Sequence, residues 1–314
     1  MKMKLFLALT FALVVSAARG QIYIDSYRFG AATQLFLDAY PNANLAYSFR
    51  KLRENYTGNC INVRNASTGR TFDIGFVSNY LDTVRLKDSC LTANCFIVTW
   101  YDQSGNSRNA SNSTATQQPR IASSGAINKY KGTVAALFAP SSTVTFLSIT
   151  DTLSNVCTFI SAHEDGTQDG SVSIHKPIFA PSTDAYVDSS NGYGFGKLRE
   201  GSNGFGFYIP STGLTTNNGI LNSYVKASSG ELIWAENISA VIKLYKNNSQ
   251  IGTTVTGNNK TSGFLSSYQL GANQSGASAR FFTGNMYEFI IYEADKSTDR
   301  TTMSDNIKTF YNLY

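Results

Sequence analysis

Short runs of apolar and β-branched residues alternate with clusters of Gly, Ser, Asn and Asp along most of the chain. This rhythm predicts many short strands joined by turns. Ile61 to Arg64 and Thr71 to Ile74 flank Asn65, Ser67 and Gly69 and read as a β-hairpin. Phe96 to Tyr101 reads as a core strand, and Ile22 to Ile24 as an edge strand. Further runs follow at Val134 to Phe138, Thr143 to Ile149, Val156 to Ala162, Val172 to His175, Gly192 to Gly196 and Gly204 to Ile209. The last are Leu232 to Ala235, Ile238 to Tyr245, Tyr268 to Gly271 and Phe281 to Tyr292. Pro177 is expected to stop the Val172 run early, because proline removes a ladder donor.

Helical periodicity is confined to a few places. Ala31 to Ala39 puts Leu35, Phe36 and Ala39 on one side before Pro41, and Asn44 to Leu52 reads as a short amphipathic segment. Leu81 to Leu86 suits one or two helical turns. Near the end, Ser297 or Thr298 can cap a helix whose Met303, Ile307, Phe310, Tyr311 and Tyr314 share one face, expected to lie against a sandwich edge. No strand-helix-strand alternation appears. The pattern therefore predicts an all-β sandwich or barrel with short N-terminal helices and a C-terminal helix.

Composition narrows this. A chain of 314 residues can bury one large core. Residues 1–20 read as a secretory signal peptide: Lys2 and Lys4 precede the apolar run Leu5 to Val15, and Ala18, Arg19 and Gly20 form a small-residue cleavage site. Residues 21–314 then form a single exported domain, and no later run is long enough to span a bilayer. The net charge of +5 includes Lys2, Lys4 and Arg19, so the remainder is only weakly basic and a nucleic-acid partner has no support. Four cysteines in an exported chain point to bridges rather than metal. Cys90 and Cys95 are close enough to close a small loop, whereas a Cys60 to Cys157 bridge requires neighbouring strands, with two buried thiols as the alternative. Sequons for N-glycosylation occur at Asn55, Asn65, Asn109, Asn112, Asn237, Asn247, Asn259 and Asn273.

Chemistry could reside in three places. His163, Glu164, Asp165, Gly166 and Asp169 follow a strand; their carboxylates could hold calcium, contact a sugar, supply an acid and a base for glycoside cleavage, or line a solvated turn. Trp100, Tyr101, Asp102, Gln103 and Asn106 combine stacking rings with hydroxyl-binding groups, as a carbohydrate subsite needs. The same Asp and Asn serve equally to fix a rigid turn by bonding backbone amides. The Gly and aromatic tract around Tyr193 and Phe205 offers either a sugar-stacking face or core.

Several tracts resemble one known family. Trp100 to Asn106, Ala46 to Leu52 with Tyr56, Thr57 and Gly58, Asp73 to Phe76, Leu81 to Thr83, and Gln118 to Ile121 are similar to secreted laminin-G-like (concanavalin-A-like) jelly rolls. These include the catalytic domain of α-L-arabinofuranosidase B. The resemblance is clearest over residues 44–140 and implies a two-sheet jelly roll with a Cys90 to Cys95 disulfide. Enzymes of that family carry an adjacent Cys-Cys pair, a Glu in an acidic strand and a late Asp. Here there is no Cys-Cys pair, Gly204 to Ile209 holds no carboxylate, and Asn273 stands at the late position. An amide is no general acid at neutral pH.

The expectation is a secreted, non-catalytic protein that binds an extracellular polysaccharide or glycoprotein glycan, with Trp100, Tyr101, Asp102, Gln103, Asn106, Tyr193 and Asn273 as candidate contacts. Two alternatives stand beside it: a hydrolase using carboxylates drawn from Glu164, Asp165 and Asp169, and a self-associating matrix or coat protein. Calcium is the one cofactor the acidic group could take.

Overall fold

The computed structural model describes residues 34–139, 144–154, 158–165, 176–182, 194–198, 204–208, 219–223, 230–256, 265–273 and 280–314. The expected signal peptide, the Ile22 and Val172 strands, Cys157, Asp169, Tyr193 and Asn259 lie outside these residues. Gln34–Tyr314 forms one compact unit of mostly antiparallel strands with few helices.

The strands hydrogen-bond in two runs. In one, Gly284–Tyr292 pairs on one side with Leu45–Ser48 and Ala136–Phe138, and on the other with Thr158–Asp165. Beyond Thr158–Asp165 come Glu231–Ile238, Val241–Lys246 and Ser249–Thr256. In the other, Thr71–Ile74, Ile61–Asn65 and Cys95–Trp100 lie side by side, followed by Ala110–Ser111 and Arg120–Ser123. That run continues through Leu147–Thr150, Ser267–Leu270, Lys176–Pro181, Gly194–Leu198, Gly204–Tyr208 and Gly219–Ser223. Leu137 opposite Arg120 joins the two.

Aromatic contacts show the runs packing face to face. Phe159 and Phe289 of the first meet Phe179 and Phe207 of the second, with Phe159 to Phe207 at 4.9 Å and Phe179 to Phe289 at 5.3 Å between ring centroids. The main core fills this space, holding Leu45, Tyr47, Trp100, Phe159, Ile233 and Phe289. A second core covers the opposite side of the first run. Ala46, Ile160, Trp234 and Ile290 alternate with the inward residues and meet α3 (Arg300–Tyr311) through Met303, Ile307 and Tyr311, and α1 (Phe36–Ala39) through Phe36. The C-terminal helix thus lies on the outer face of a sheet, where the sequence suggested an edge. Its N-cap is Asp299, not Ser297 or Thr298, and Asn312 in the left-handed region ends it.

Other expectations shift locally. Asn44 to Leu52 is no half-polar segment: Leu45–Ser48 is a strand buried on both faces. Ile238 to Tyr245 is not one strand, because Ser239 and Ala240 adopt positive φ and turn Glu231–Ile238 back into Val241–Lys246. Pro177 sits second in Lys176–Pro181, beside a register irregularity that accommodates the missing donor, while the Val172 run it was expected to end lies outside the described residues. The helix expected at Leu81 is α2 (Thr83–Cys90), with the Asp82 side chain accepting from Arg85 N at 2.9 Å. At its end Cys90 is bonded to Cys95. Cys60 is a buried free thiol whose Sγ donates to Ser48 O, so the Cys60 to Cys157 bridge is not formed.

Candidate functional site

Thr158–Asp165 runs past the Ala162 at which its sequence pattern stopped, so His163, Glu164 and Asp165 are strand residues rather than a solvated turn. All three are buried. Strand periodicity then separates them. Glu164 faces the outer core, where its Oε2 accepts from Asn285 Nδ2 at 2.8 Å and Asn285 in turn accepts from Asn128. His163 and Asp165 face inward, with the imidazole edge-on to Phe282 at 5.7 Å. Glu164 and Asp165 therefore cannot serve together as an acid and base pair.

The inward group is completed by residues that the sequence reading missed. Glu231 lies directly opposite His163 across the strand pair, and Lys246 Nζ approaches Glu231 Oε1 at 3.4 Å. Ser161 Oγ lies 3.0 Å from His163 Nδ1. The result is a patch of Ser161, His163, Asp165, Glu231 and Lys246 on the core-facing side of three adjacent strands. Glu231 and Lys246 could have been noticed as charges at the ends of two strand-like runs, but nothing in the sequence fixes their pairing with His163. Among the described residues, no group of three or more His, Cys, Asp or Glu side chains converges on a metal position.

Burial holds the His163 imidazole down to about 4 from an ordinary 6.5, against the upward pull of Asp165 and the Ser161 backbone, with Lys246 adding to the depression. The folded protein therefore keeps His163 neutral where the unfolded chain already takes up a proton. This stability is complete above pH 6.5 and is lost as pH falls toward 4. The slope is about 1.4 kcal/mol per pH unit and the full loss roughly 3 kcal/mol. Urea denaturation from pH 7 to 4 is expected to show this steepening in wild type and not in His163→Gln. Equal pH slopes for the two proteins contradict it.

The other proposed contacts turn inward. Trp100 is fully buried, stacked on Phe49 at 4.6 Å with its indole N–H toward Ser48 O, so its ring faces are closed to a sugar. Gln103 is equally buried; its amide donates to Ser48 O and Arg50 O and accepts from Leu52 N. Asp102 accepts from backbone amides of Ala46, Ser104 and Arg108. Asn106 is exposed but its Nδ2 donates to Ala43 O and Asn44 O. Tyr101 is partly exposed and donates to Asp73 at 2.8 Å. This constellation is a turn bolted to the N-terminal strand, the structural reading of the same residues. Asn273 is buried in the short Ala272–Asn273 strand.

Burial also removes several sequons. Asn65 Nδ2 donates to Ser89 O and Cys90 O, and Asn112 Nδ2 to Gln117 O and Phe146 O, so neither nitrogen can carry a glycan. Asn237 and Asn273 are buried as well. Asn55 and Asn109 are exposed and Asn247 half-buried in a turn.

A β-sandwich with an outer helix and ionisable groups on an inner sheet face is the class that this geometry defines. Among solved structures the chain is similar to GH54 α-L-arabinofuranosidases. One was soaked with a cyclic sulfate inhibitor (TM-score 0.53, 16% identity), and an arabinofuranosidase was complexed with arabinofuranosyl-α-1,2-xylobiose (0.53, 14%). A third, a glutamate-to-glutamine variant soaked with 4-nitrophenyl α-L-arabinofuranoside, gives 0.55 at 16%. Each match covers 84% of this chain and 62% of the enzyme, so the chain spans less than two thirds of their length. No family model and no curated protein matches the sequence. The likeness read from Trp100 to Asn106 and its companion tracts is thus borne out in the fold. No helix among the described residues is long and apolar enough to cross a membrane.

Proposed function

We propose that the protein is a secreted, non-catalytic glycan-binding jelly roll of two sheets that contacts extracellular polysaccharide. What supports this reading is an arabinofuranosidase-like fold together with the buried amide of Asn273, which the sequence resemblance sets where that family carries a late Asp. An amide retains hydrogen bonds to hydroxyls and loses proton transfer.

Affinity electrophoresis against plant, algal and microbial polysaccharides, arabinan and arabinoxylan included, tests it. Retention by at least one neutral polysaccharide is expected. No retention by any of them overturns the reading. Hydrolysis is a second reading, favoured by one observation: Asp165 is two residues from His163, the cross-strand partner of Glu231, which puts both carboxylates on one face. The backbone positions of such diagonal neighbours stand about 7–8 Å apart. Release of nitrophenol from 4-nitrophenyl α-L-arabinofuranoside by wild type and not by Glu231→Gln supports it; no release retires it.

A further inference from the structure

Two of the sequons stand open in the fold, and they differ from the buried ones in which half of the asparagine amide the structure uses. Asn55 lies in an exposed turn where Tyr56 N donates to Arg53 O at 3.2 Å, and Thr57, the third residue of its triplet, is exposed as well. Asn109 is exposed just before the Ala110–Ser111 strand, with Ser111 also open to solvent. Its Oδ1 accepts from Asp102 N at 3.0 Å, so the carbonyl half holds the turn, and Nδ2 makes no hydrogen bond among the described residues. In Asn65 both halves are consumed: Oδ1 accepts from Ser67 N and Thr68 N, while Nδ2 donates to Ser89 O and Cys90 O. Asn112 repeats this, Oδ1 accepting from Thr114 N and Nδ2 donating to Gln117 O and Phe146 O.

An N-linked glycan occupies the amide nitrogen and spares the carbonyl. We propose that in the exported protein Asn55 and Asn109 carry N-linked glycans and Asn65 and Asn112 do not, an inference that rests on the secretion in the reading above and not on its glycan binding. In the transfer, Nδ2 bonds to the anomeric carbon of a polyprenyl-diphosphate-linked oligosaccharide. The bond from that carbon to the diphosphate oxygen breaks, the diphosphate leaves with the bonding pair, and one Nδ2 proton passes to a base of the transferase. At Asn109 the bond from Asp102 N survives the reaction. At Asn65 or Asn112 a sugar on Nδ2 strips two hydrogen bonds and forces a polar ring into the interior, so chains modified there fail to fold and do not reach the medium. Arg53 donates to Ser104 O, which ties the Asn55 turn to the Asp102 turn that carries Asn109, so the two glycans arise from linked segments.

The test expresses the full chain in insect cells and treats protein from the medium with peptide-N-glycosidase in heavy-oxygen water, which turns each glycan-bearing Asn into a labelled Asp. Peptide mass spectrometry is expected to find label at Asn55 and Asn109 and none at Asn65 and Asn112. Thr57→Ala and Ser111→Ala break the two sequons while keeping each Asn, and each variant is expected to be secreted lighter by one glycan. Secreted protein unlabelled at Asn55 or Asn109, or labelled at Asn65 or Asn112, overturns this inference alone. A chain that never reaches the medium overturns it together with the secretion on which the proposed function also rests.

Discussion

Replacing Glu288 by Ala is expected to lower the unfolding free energy by roughly 3–5 kcal/mol, the cost of leaving one half of a buried ion pair uncompensated. Glu288 and Arg50 are almost fully buried and meet in a two-pronged bridge, Nε to Oε2 at 2.8 Å and Nη2 to Oε1 at 2.9 Å. Burial works against the Arg50 cation, but the Glu288 carboxylate outweighs it, and the guanidinium titrates above its ordinary value. Glu288 Oε2 also accepts from Ser48 Oγ and Tyr311 OH, and Arg50 Nη1 donates to Asn306. The guanidinium lies over the rings of Phe36 and Phe310, at 5.1 and 4.8 Å. One pair therefore ties α1, the first strand, the Gly284–Tyr292 strand and α3 together.

Loss of Glu288 leaves the Arg50 charge in an apolar enclosure, so the helix should loosen before the sandwich does. Urea denaturation measures the loss, and trypsin cleavage at Lys308 reports α3 release. An Arg50→Met and Glu288→Leu double substitution is expected to recover most of the stability, since it removes the stranded charge along with the bridge. A Glu288→Ala loss below about 1 kcal/mol, the level of an exposed pair, would falsify this account.

The Arg50 and Glu288 pair also marks where the sequence stopped being informative. Local features were legible because neighbouring residues decide them: the Ile61 and Thr71 hairpin, the α2 turn at Asp82, and the apolar face of α3. Strand ends were less so. Thr158–Asp165 is buried along its whole length, so its polar end carries no solvent alternation to read. Ser249–Thr256 escaped for the opposite reason, being largely exposed and polar. The inward patch depends on which strand pairs with which: Glu231 is 68 positions from His163, and only the register brings them opposite. Trp100 and Gln103 show the reverse error, where sugar-like composition turned out to be internal scaffolding.

That scaffolding supports the second large effect, an expected loss of roughly 3–5 kcal/mol in Asp102→Ala, because each buried donor left unsatisfied costs about 1–3 kcal/mol and the losses do not add fully. Asp102 is only 4% exposed and accepts from Ala46 N at 2.9 Å, Ser104 N at 2.9 Å, Ser104 Oγ at 2.6 Å and Arg108 N at 3.0 Å. Ala46 sits in the Leu45–Ser48 strand, so the same carboxylate that shapes the turn also fixes the position of that strand. Arg108, positioned by this turn, bridges Asp151 at 3.0 Å and donates to Asn44 O, extending the fastening to a third segment. Asp102→Asn keeps one acceptor oxygen but turns an NH₂ group toward amide donors, so it is expected to fall between wild type and Asp102→Ala. Arg108 should become cleavable by trypsin in both variants under conditions where the wild type resists. A wild-type-like urea midpoint for Asp102→Ala is incompatible with a structural turn, and would return Asp102 to the sugar-contact role that its composition first suggested.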